Sequence, residues 1–382
     1  MTRRLAVLGA GPIGIEAALL GMERGFEVAV YERDAVGASL DGWGPTRFFS
    51  PFGMNVSPRV KAALGDDAPD DDALLTGPDF VRRVLAPIVD GPLSGRVHVG
   101  ETVVQVGRDR LLRHDKAGHP IRGDRDFRIL LDGPDGEHFV TADVVLDATG
   151  TTVPSHLGRG GMLAAGERTV RARLWTTLGD VHRRLPELDG QHVLIVGHGH
   201  SAANALNAIA DAGRDVRVTW ATRAVNTRPC VEVANDPLGE RAAITRRAND
   251  LAHRPPEWLT VERRAHVEAI RAVEHCVEVT LSGDRTGVYD AVASFVGYRP
   301  DTEMLSELPI AISPVTQGAA GIQRALANVT DCLAVPRIGA DDLSSGEPGF
   351  YMIGFKSYGR MTAFLLKDGL TQLEAIFADG LG

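Results

Sequence analysis

The chain carries one short pattern twice: an apolar run, a tight turn rich in glycine, and an alanine-rich helix. The first copy is LAVLGAGPIGIEAALL from residue 5, and the second is VLIVGHGHSAANAL from residue 193. Each copy is followed by another apolar run, FEVAVYER or DVRVTWATR. An apolar run that breaks at glycine and resumes with helical spacing is typical of a strand, a turn and a helix that lead into a parallel strand. The repetition therefore predicts an α/β chain with two βαβ units.

Length and charge narrow the class of protein. A chain of 382 residues, 44% of them apolar, is long enough for two or three domains with buried cores. A formal net charge of −9 leaves no basic field for nucleic acid, and we expect no nucleic-acid partner. The three cysteines are far apart and form no Cys-x-x-Cys motif, so neither a disulfide framework nor a metal site is indicated. A reducing, cytoplasmic location fits this composition best.

The N-terminus needs one further test, because an arginine pair precedes its apolar run as in an export signal. Three glycines, Pro12 and Glu16 interrupt that run. No other segment reaches the roughly 18 apolar residues that a spanning helix needs. We therefore expect neither a leader nor a membrane anchor.

The first glycine turn has the residues that a dinucleotide site needs. Gly9 makes the tight turn, Gly11 lets the backbone approach a pyrophosphate, and Gly14 lets helix and strand pack closely. Glu32 ends the next strand, where a carboxylate binds ribose hydroxyls. The alternatives are a structural turn and a solvated strand end. The predicted cofactor contacts here are Gly9, Gly11, Pro12, Ile13, Gly14, Glu32 and Arg33.

The second turn differs from the first at two positions. Ala202 replaces the third glycine, and Arg223 stands where the first copy has its acid. An arginine suits a 2′-phosphate, so the pattern favours NADPH and leaves NADH as the alternative. The other interpretation of Arg223 is a solvated surface cation, and His200 could equally cap the helix or face solvent. The predicted contacts are Gly197, Gly199, His200, Ser201, Ala202 and Arg223.

Four motifs in this order resemble those of the flavoproteins with two dinucleotide-binding domains: GAGPIG with Glu32, DVVLDATG, VLIVGHGHSAAN and ASFVGYRPD. The resemblance is closer to flavin-containing monooxygenases and amine N-hydroxylases, and more distant to thioredoxin-reductase-like proteins. It implies two Rossmann-like domains, with FAD on the first and NAD(P)H on a second that is inserted in the first. The implied limits are 1–160 and 306–382 for the FAD domain and 161–305 for the NAD(P)H domain.

The same resemblance implies further flavin and nucleotide contacts. In such proteins a strand that ends in small residues closes on the first nucleotide site, and a similar strand ends the second module. The stretch WGPTRFFSPFGMN is similar to a loop that runs over the flavin ring. Turn chemistry is the alternative for this glycine-rich and proline-rich stretch. The contacts implied are Arg47, Asn55, Val104, Ala148, Thr149, Gly150, Gly297 and Gly354.

The chain departs from the family pattern in three places. No cysteine occupies the first glycine turn or closely follows Glu32, which makes a disulfide reductase improbable. The aromatic and glycine run with a histidine that monooxygenases carry before the second turn is missing. The closing segment reads GFKSYGR where the family usually has an acid. Lys356 and Tyr358 are predicted as catalytic residues that stabilise negative charge, with an exposed cationic turn as the alternative.

Three functions remain open. The leading one is an NADPH-using FAD oxidoreductase that acts on a small molecule in a monooxygenase-like reaction. The second is a reductase or dehydrogenase on the same scaffold without oxygenation. The third is a non-catalytic sensor of nucleotides. The sequence also allows a homodimer. It does not identify the substrate.

Overall fold

The computed structural model describes residues 2–329 and 332–381. The chain forms two compact units. The first unit takes Met1–Asp41, Ser50–Val153 and Arg299–Gly382, and the second takes Gly42–Phe49 and Pro154–Tyr298. The domain limits predicted at 160/161 and 305/306 stay predictions, because a unit defined by contacts need not share its limits with a functional domain.

The strands of the described chain follow one another in this order: β1 Arg4–Leu8, β2 Glu27–Glu32, β3 Val97–Val99, β4 Thr102–Arg108, β5 Phe127–Gly133, β6 Gly136–Ala142, β7 Val144–Asp147, β8 Val153–Pro154, β9 His192–Val196, β10 Arg217–Thr222, β11 Leu259–Arg263, β12 Val267–Val273, β13 Cys276–Leu281, β14 Arg285–Tyr289, β15 Ala291–Ser294, β16 Tyr298–Arg299 and β17 Phe350–Met352.

The α-helices of the same residues are α1 Pro12–Glu23, α2 Ala38–Asp41, α3 Phe52–Asn55, α4 Pro58–Leu64, α5 Gly77–Phe80, α6 Ala86–Asp90, α7 Glu167–Val170, α8 Leu178–Arg184, α9 His200–Ala212, α10 Gly239–His253, α11 Ala320–Ala325, α12 Ala340–Leu343, α13 Phe355–Tyr358 and α14 Leu366–Ala375. None of the helices in this part of the chain is long and apolar enough to cross a membrane.

The first unit is built on a five-stranded sheet in the order β17-β7-β1-β2-β3, and all of its strand pairs are parallel. Leu5, Val7 and Leu8 of the central strand β1 are at most 1% exposed. A parallel strand that is buried on both faces needs such a continuous apolar run. A smaller antiparallel sheet, β4-β5-β6, completes the unit, with a tight hairpin between β5 and β6.

The second unit repeats this plan. Its parallel sheet has the order β11-β10-β9-β15, and its antiparallel sheet is β12-β13-β14. Val193, Ile195 and Trp220 lie in its core with no exposed surface. The two predicted βαβ units are therefore confirmed as β1-α1-β2 and β9-α9-β10, and both start at the centre of a parallel sheet. A glycine with positive φ follows each helix, Gly25 at φ 80° and Gly213 at φ 57°.

Candidate functional site

The first glycine turn connects β1 to α1, and its three glycines do different things. A Cβ atom on Gly14 would lie 1.9 Å from the Gly9 carbonyl oxygen, so only glycine allows the helix to pack this closely. Gly9 has φ 96°, a conformation that L side chains rarely adopt. Around Gly11, by contrast, a Cβ atom would meet no described atom within 4 Å. The backbone at Gly11 is therefore open to a ligand.

Helix α1 leaves its first amide groups available. Gly11 precedes the helix and supplies no side-chain cap, and Pro12 is its first residue. The first N–H groups of a helix have no partner within the helix and attract anions. The side chain of Ile13 packs against Gly354, where a Cβ atom would lie 3.3 Å from the Ile13 Cβ. Sequence-predicted residues Ile13 and Gly354, far apart in the chain, are thus brought together.

Glu32 holds the turn from the end of β2. Its Oε2 accepts a hydrogen bond from the Ala10 N–H at 2.8 Å, and its Oε1 accepts one from the Asp34 N–H at 2.9 Å. Its partly exposed carboxylate keeps further lone pairs for a ligand hydroxyl. Arg33 beside it is exposed, and its Nε donates to Asp34 Oδ2 at 3.0 Å.

A buried ion pair lies behind the predicted Ala148–Gly150 contacts. The Lys356 Nζ lies 2.6 Å from Asp147 Oδ2, and neither side chain has exposed surface. The same ammonium donates to Thr149 Oγ1 at 2.8 Å, and that hydroxyl donates to Asp147 Oδ1 at 2.7 Å. The pair ties the end of β7 to α13, the short helix that follows β17. The Lys356 ammonium group is therefore bonded to other side chains of the protein, and the sequence alone did not predict these partners.

The segment that contains Ala148, Thr149 and Gly150 abuts the glycine turn. A Cβ atom on Gly9 would lie 3.0 Å from the Ala148 carbonyl oxygen and 3.1 Å from the Thr149 Cα. The Ala148 N–H donates to the Leu8 carbonyl at 2.9 Å, and Gly150 has φ 70°. The ion pair therefore supports one wall of the first turn.

Tyr358 is fully buried and, among the residues that the structure describes, its hydroxyl has no hydrogen-bond partner. Burial raises the pKa of this phenol above its usual range, and the nearby Asp368 carboxylate adds to the effect. Its ring packs edge to face on Phe364, with centroids 5.2 Å apart. An orphaned buried hydroxyl normally signals a water or ligand atom that would complete it.

Two other predicted contacts in the first unit have different surroundings. Val104 lies where the β4–β5 pairing shifts register, and its side chain is 40% exposed. The Asn55 side chain is buried, and both of its polar atoms bond to Ser50: Oδ1 accepts from the hydroxyl at 2.6 Å and Nδ2 donates to the carbonyl at 3.0 Å. Arg47 is exposed and belongs to the second unit.

The second glycine turn connects β9 to α9. Gly197 has φ 118°, and a Cβ atom there would lie 2.2 Å from the Phe295 carbonyl oxygen. Gly199 is as open as Gly11, and it leaves α9 without a side-chain cap. Ala202 is fully buried, so the third position accepts a methyl group here. The buried Trp220 donates its indole N–H to the Gly197 carbonyl at 2.6 Å, a support that the sequence did not predict.

Three residues that can carry charge surround the second turn: Arg223 follows β10, His198 lies in the turn, and His200 begins α9. Arg223 directly follows β10, and Thr222 is the residue that aligns with Glu32 at the end of β2, so the expectation that Arg223 stands where the first copy has its acid is off by one position. The Arg223 side chain is exposed and makes no hydrogen bond or ion pair with the described residues. Burial lowers the pKa of the neighbouring His198, and the Arg223 charge lowers it further. Desolvation likewise lowers the pKa of His200, with Arg241 acting in the same direction and Asp236 opposing it.

The remaining predicted residues of the second unit have simple positions. Ser201 is partly buried in the first turn of α9. Gly297 has φ 92°, follows the end of β15, and accepts a hydrogen bond from the Ser155 N–H at 2.9 Å. A Cβ atom at Gly297 would meet nothing within 4 Å, which leaves this strand end open in the same way as Gly199.

Together these features define a chain with two Rossmann-like units, the second inserted in the first along the sequence. No family model matches the sequence, and no curated protein sequence matches it. The structure is similar along its full length to solved flavoprotein structures of two kinds. A bacillithiol disulfide reductase from Bacillus cereus has 19% identity and a TM-score of 0.69 over 98% of both chains.

The other kind is the amine hydroxylases. The ornithine N-hydroxylase of Kutzneria sp. 744 has 15% identity and a TM-score of 0.65 over 99% of this chain and 98% of that one. The cadaverine monooxygenase of Erwinia amylovora, solved with FAD bound, has 12% identity and a TM-score of 0.67 over 100% of this chain and 96% of that one. Identities this low establish the shared fold, and they favour neither reaction.

Proposed function

We propose that this chain is an FAD-dependent oxidoreductase that takes hydride from NADPH and acts on a small molecule in a monooxygenase-like reaction. The observation that carries the proposal is the pair of open glycine turns with opposite charges at the following strand ends. Glu32 suits the ribose hydroxyls of one dinucleotide, and Arg223 suits the 2′-phosphate of another. Two sites for two different dinucleotides are what a hydride transfer between cofactors requires.

The residues of the first unit fit FAD. The open backbone at Gly11 and the free amides of α1 would hold the pyrophosphate, and Glu32 would accept from the ribose. The orphaned hydroxyl of Tyr358 supplies a donor for which residues 2–329 and 332–381 offer no acceptor. When bound, FAD supplies hydride acceptance and electron transfer to the second substrate.

In the proposed reaction, the side chains and backbone of this chain position the two cofactors and the substrate. The catalytic role predicted for Lys356 has not been tested, and its ammonium group is already bonded to Asp147 and Thr149. We therefore propose that Lys356 fixes the Ala148–Gly150 wall, and that Tyr358 is the group that touches the cofactor or substrate. In the second unit, Gly199 and the first amides of α9 would hold the NADPH pyrophosphate.

Cysteine placement favours oxygen over a disulfide as the second substrate. The first turn, GAGPIG, contains no thiol. Cys230 is buried in the second unit, and burial raises its pKa to about 12, which keeps the thiol protonated and unreactive. A reductase without oxygenation remains the second candidate, because the full-length similarity to bacillithiol disulfide reductase is as extensive as that to the hydroxylases.

The test is to mix the NADPH-reduced protein with oxygen, in the presence and absence of L-ornithine or cadaverine. The proposal predicts a transient absorbance that differs from oxidised flavin, and hydroxylated amine in proportion to NADPH consumed. Immediate reoxidation that yields only hydrogen peroxide, together with anaerobic reduction of bacillithiol disulfide, would support the reductase instead. A protein that binds nucleotides but transfers no hydride would be a sensor.

A further inference from the structure

The segment of residues 42–49, here called the 42–49 segment, packs within the second unit. The sequence predicts it as part of a loop over the flavin, whereas the structure groups it with the inserted unit. The Gly42 carbonyl accepts a hydrogen bond from the Gly179 N–H at 2.9 Å, and Thr46 Oγ1 lies 3.4 Å from His182 Nε2. Both contacts are with α8. The segment therefore has a fixed place in that unit.

The far end of the 42–49 segment reaches the second glycine turn. The ring of Phe49 meets that of His200 edge on, with centroids 5.1 Å apart and an angle of 67° between the planes. His200 is the first residue of α9 and directly follows the open Gly199. The segment thus ends beside the helix amides that face a bound pyrophosphate.

Arg47 lies between these two anchors. Its side chain is exposed and makes no hydrogen bond or ion pair with residues 2–329 or 332–381. Two residues of extended chain span at most about 7 Å, so the Arg47 backbone lies within that distance of Phe49, whose ring contacts His200 at the start of α9. Of the other charged groups at this end of α9, Asp236 and Arg241 neutralise each other in a buried ion pair with Nε and Oδ2 2.7 Å apart.

We propose that Arg47 binds the pyrophosphate of the nicotinamide dinucleotide, and that the 42–49 segment is part of the nicotinamide-nucleotide site of the second unit. The inference rests on the proposed function, because that function places a nicotinamide dinucleotide at this turn. A guanidinium group suits a phosphate because it can donate two parallel hydrogen bonds.

The proposal predicts different effects of the two arginines on nucleotide binding. Pyrophosphate is common to NADP+ and NAD+, whereas only NADP+ carries the 2′-phosphate assigned to Arg223. Loss of Arg47 should therefore weaken both nucleotides by one factor. Loss of Arg223 should weaken NADP+ alone.

The experiment is calorimetric titration of the FAD-loaded protein with NADP+ and with NAD+. Arg47→Ala should raise both dissociation constants about tenfold, the effect of one charge-assisted hydrogen bond. Arg223→Ala should raise only that of NADP+, and Arg47→Lys should recover part of the loss. Arg168→Ala removes an equal charge from the exposed face of α7 in the same unit, and should change neither constant. FAD content and melting temperature report whether each variant is folded.

Three results would overturn the inference while leaving the proposed function intact. The first is an Arg47→Ala variant that binds both nucleotides within twofold of the parent protein. The second is weakening of NADP+ alone, which would assign Arg47 to the 2′-phosphate. The third is loss of FAD with unchanged nucleotide binding, which would return Arg47 to the flavin. If the parent protein binds neither nucleotide, the proposed function itself is wrong.

Discussion

The two glycine turns of this chain have the same strand-turn-helix arrangement, but they pack against their surroundings in different ways. In the first turn the tightest approach is between helix and turn, where a Cβ atom on Gly14 would lie 1.9 Å from the Gly9 oxygen. In the second turn the tightest approach is between the turn and the residue that follows β15, because a Cβ atom on Gly197 would lie 2.2 Å from the Phe295 carbonyl oxygen. The second turn can therefore accept Ala202, and the first cannot accept alanine at Gly14.

The two turns are also supported by different chemistry. A buried ion pair, Lys356 with Asp147, stands behind the first, and a neutral indole N–H from Trp220 supports the second. Both leave the middle glycine open. The open backbone is thus common to the two turns. The side chains that support each turn lie outside the glycine pattern.

The largest expected effect comes from breaking the ion pair. Lys356→Met leaves the buried Asp147 carboxylate without its cation and should lower the free energy of unfolding by about 3–5 kcal/mol. Trp220→Phe, the matched change in the second unit, removes one hydrogen bond and should cost about 1–3 kcal/mol. Urea unfolding at one saturating FAD concentration measures both. Equal losses of unfolding free energy in the two variants would contradict the difference between the turns. The double variant Lys356→Met/Asp147→Asn should recover part of the loss seen in Lys356→Met.

The third glycine position should show the next largest difference. Gly14→Ala forces a methyl group against the Gly9 carbonyl, so we expect a loss of about 1–3 kcal/mol and a lower ratio of FAD to protein. The reciprocal change Ala202→Gly lowers helix propensity and removes one buried methyl group, at a total cost of about 1–2 kcal/mol, and should leave NADP+ binding intact. The flavin-to-protein absorbance ratio and urea unfolding check both. A Gly14→Ala protein with full FAD content would show that the close approach is not required.

The orphaned hydroxyl predicts a smaller and more selective effect. Tyr358→Phe should weaken FAD binding about fivefold, as expected for one lost hydrogen bond, without destabilising the FAD-free protein. The control is Tyr351→Phe, because the Tyr351 hydroxyl donates to the Gly380 carbonyl at 2.6 Å within the protein. That variant should lose stability and keep its affinity for FAD. Flavin fluorescence titration and thermal unfolding separate the two, and unchanged FAD affinity in Tyr358→Phe would argue against a ligand contact.

The smallest effect is expected at Cys230. Because burial raises its pKa to about 12, the thiol is almost entirely protonated at pH 8 and should resist iodoacetamide there. Cys276 and Cys332, which are only partly buried, should be alkylated before it. Cys230→Ala should change the rate of NADPH oxidation less than twofold. Loss of turnover in this variant would point to thiol chemistry and thus to the reductase.

Local sequence patterns were sufficient for the parts of the site that lie within one βαβ unit. The glycine turns, the helices that follow them and the strand-end residues Glu32 and Arg223 depend on contacts over short distances in the chain, and such contacts leave periodic signals. Of the pairs in the two parallel sheets, β1–β2 and β9–β10 follow from the same units, whereas the positions of the other strands do not. Glu32 bonding to Ala10 spans 22 residues.

The supports behind the turns could not be predicted in this way. Lys356 and Thr149 are 207 residues apart, and no local pattern states that their side chains meet. The assignment of the 42–49 segment to the second unit is likewise a tertiary outcome. Trp220 did carry a signal, since an indole within a buried strand needs an acceptor for its N–H. Its partner, Gly197, still depended on strand register.

We propose that the first turn holds a flavin and that the nucleotide bound at the second turn reduces it. The absorbance spectrum of the purified protein, recorded without oxygen before and after one equivalent of NADPH, tests both parts together. We expect flavin bands that NADPH bleaches, and slower bleaching by the same concentration of NADH. A spectrum that shows bound flavin but does not change with either nucleotide would contradict it.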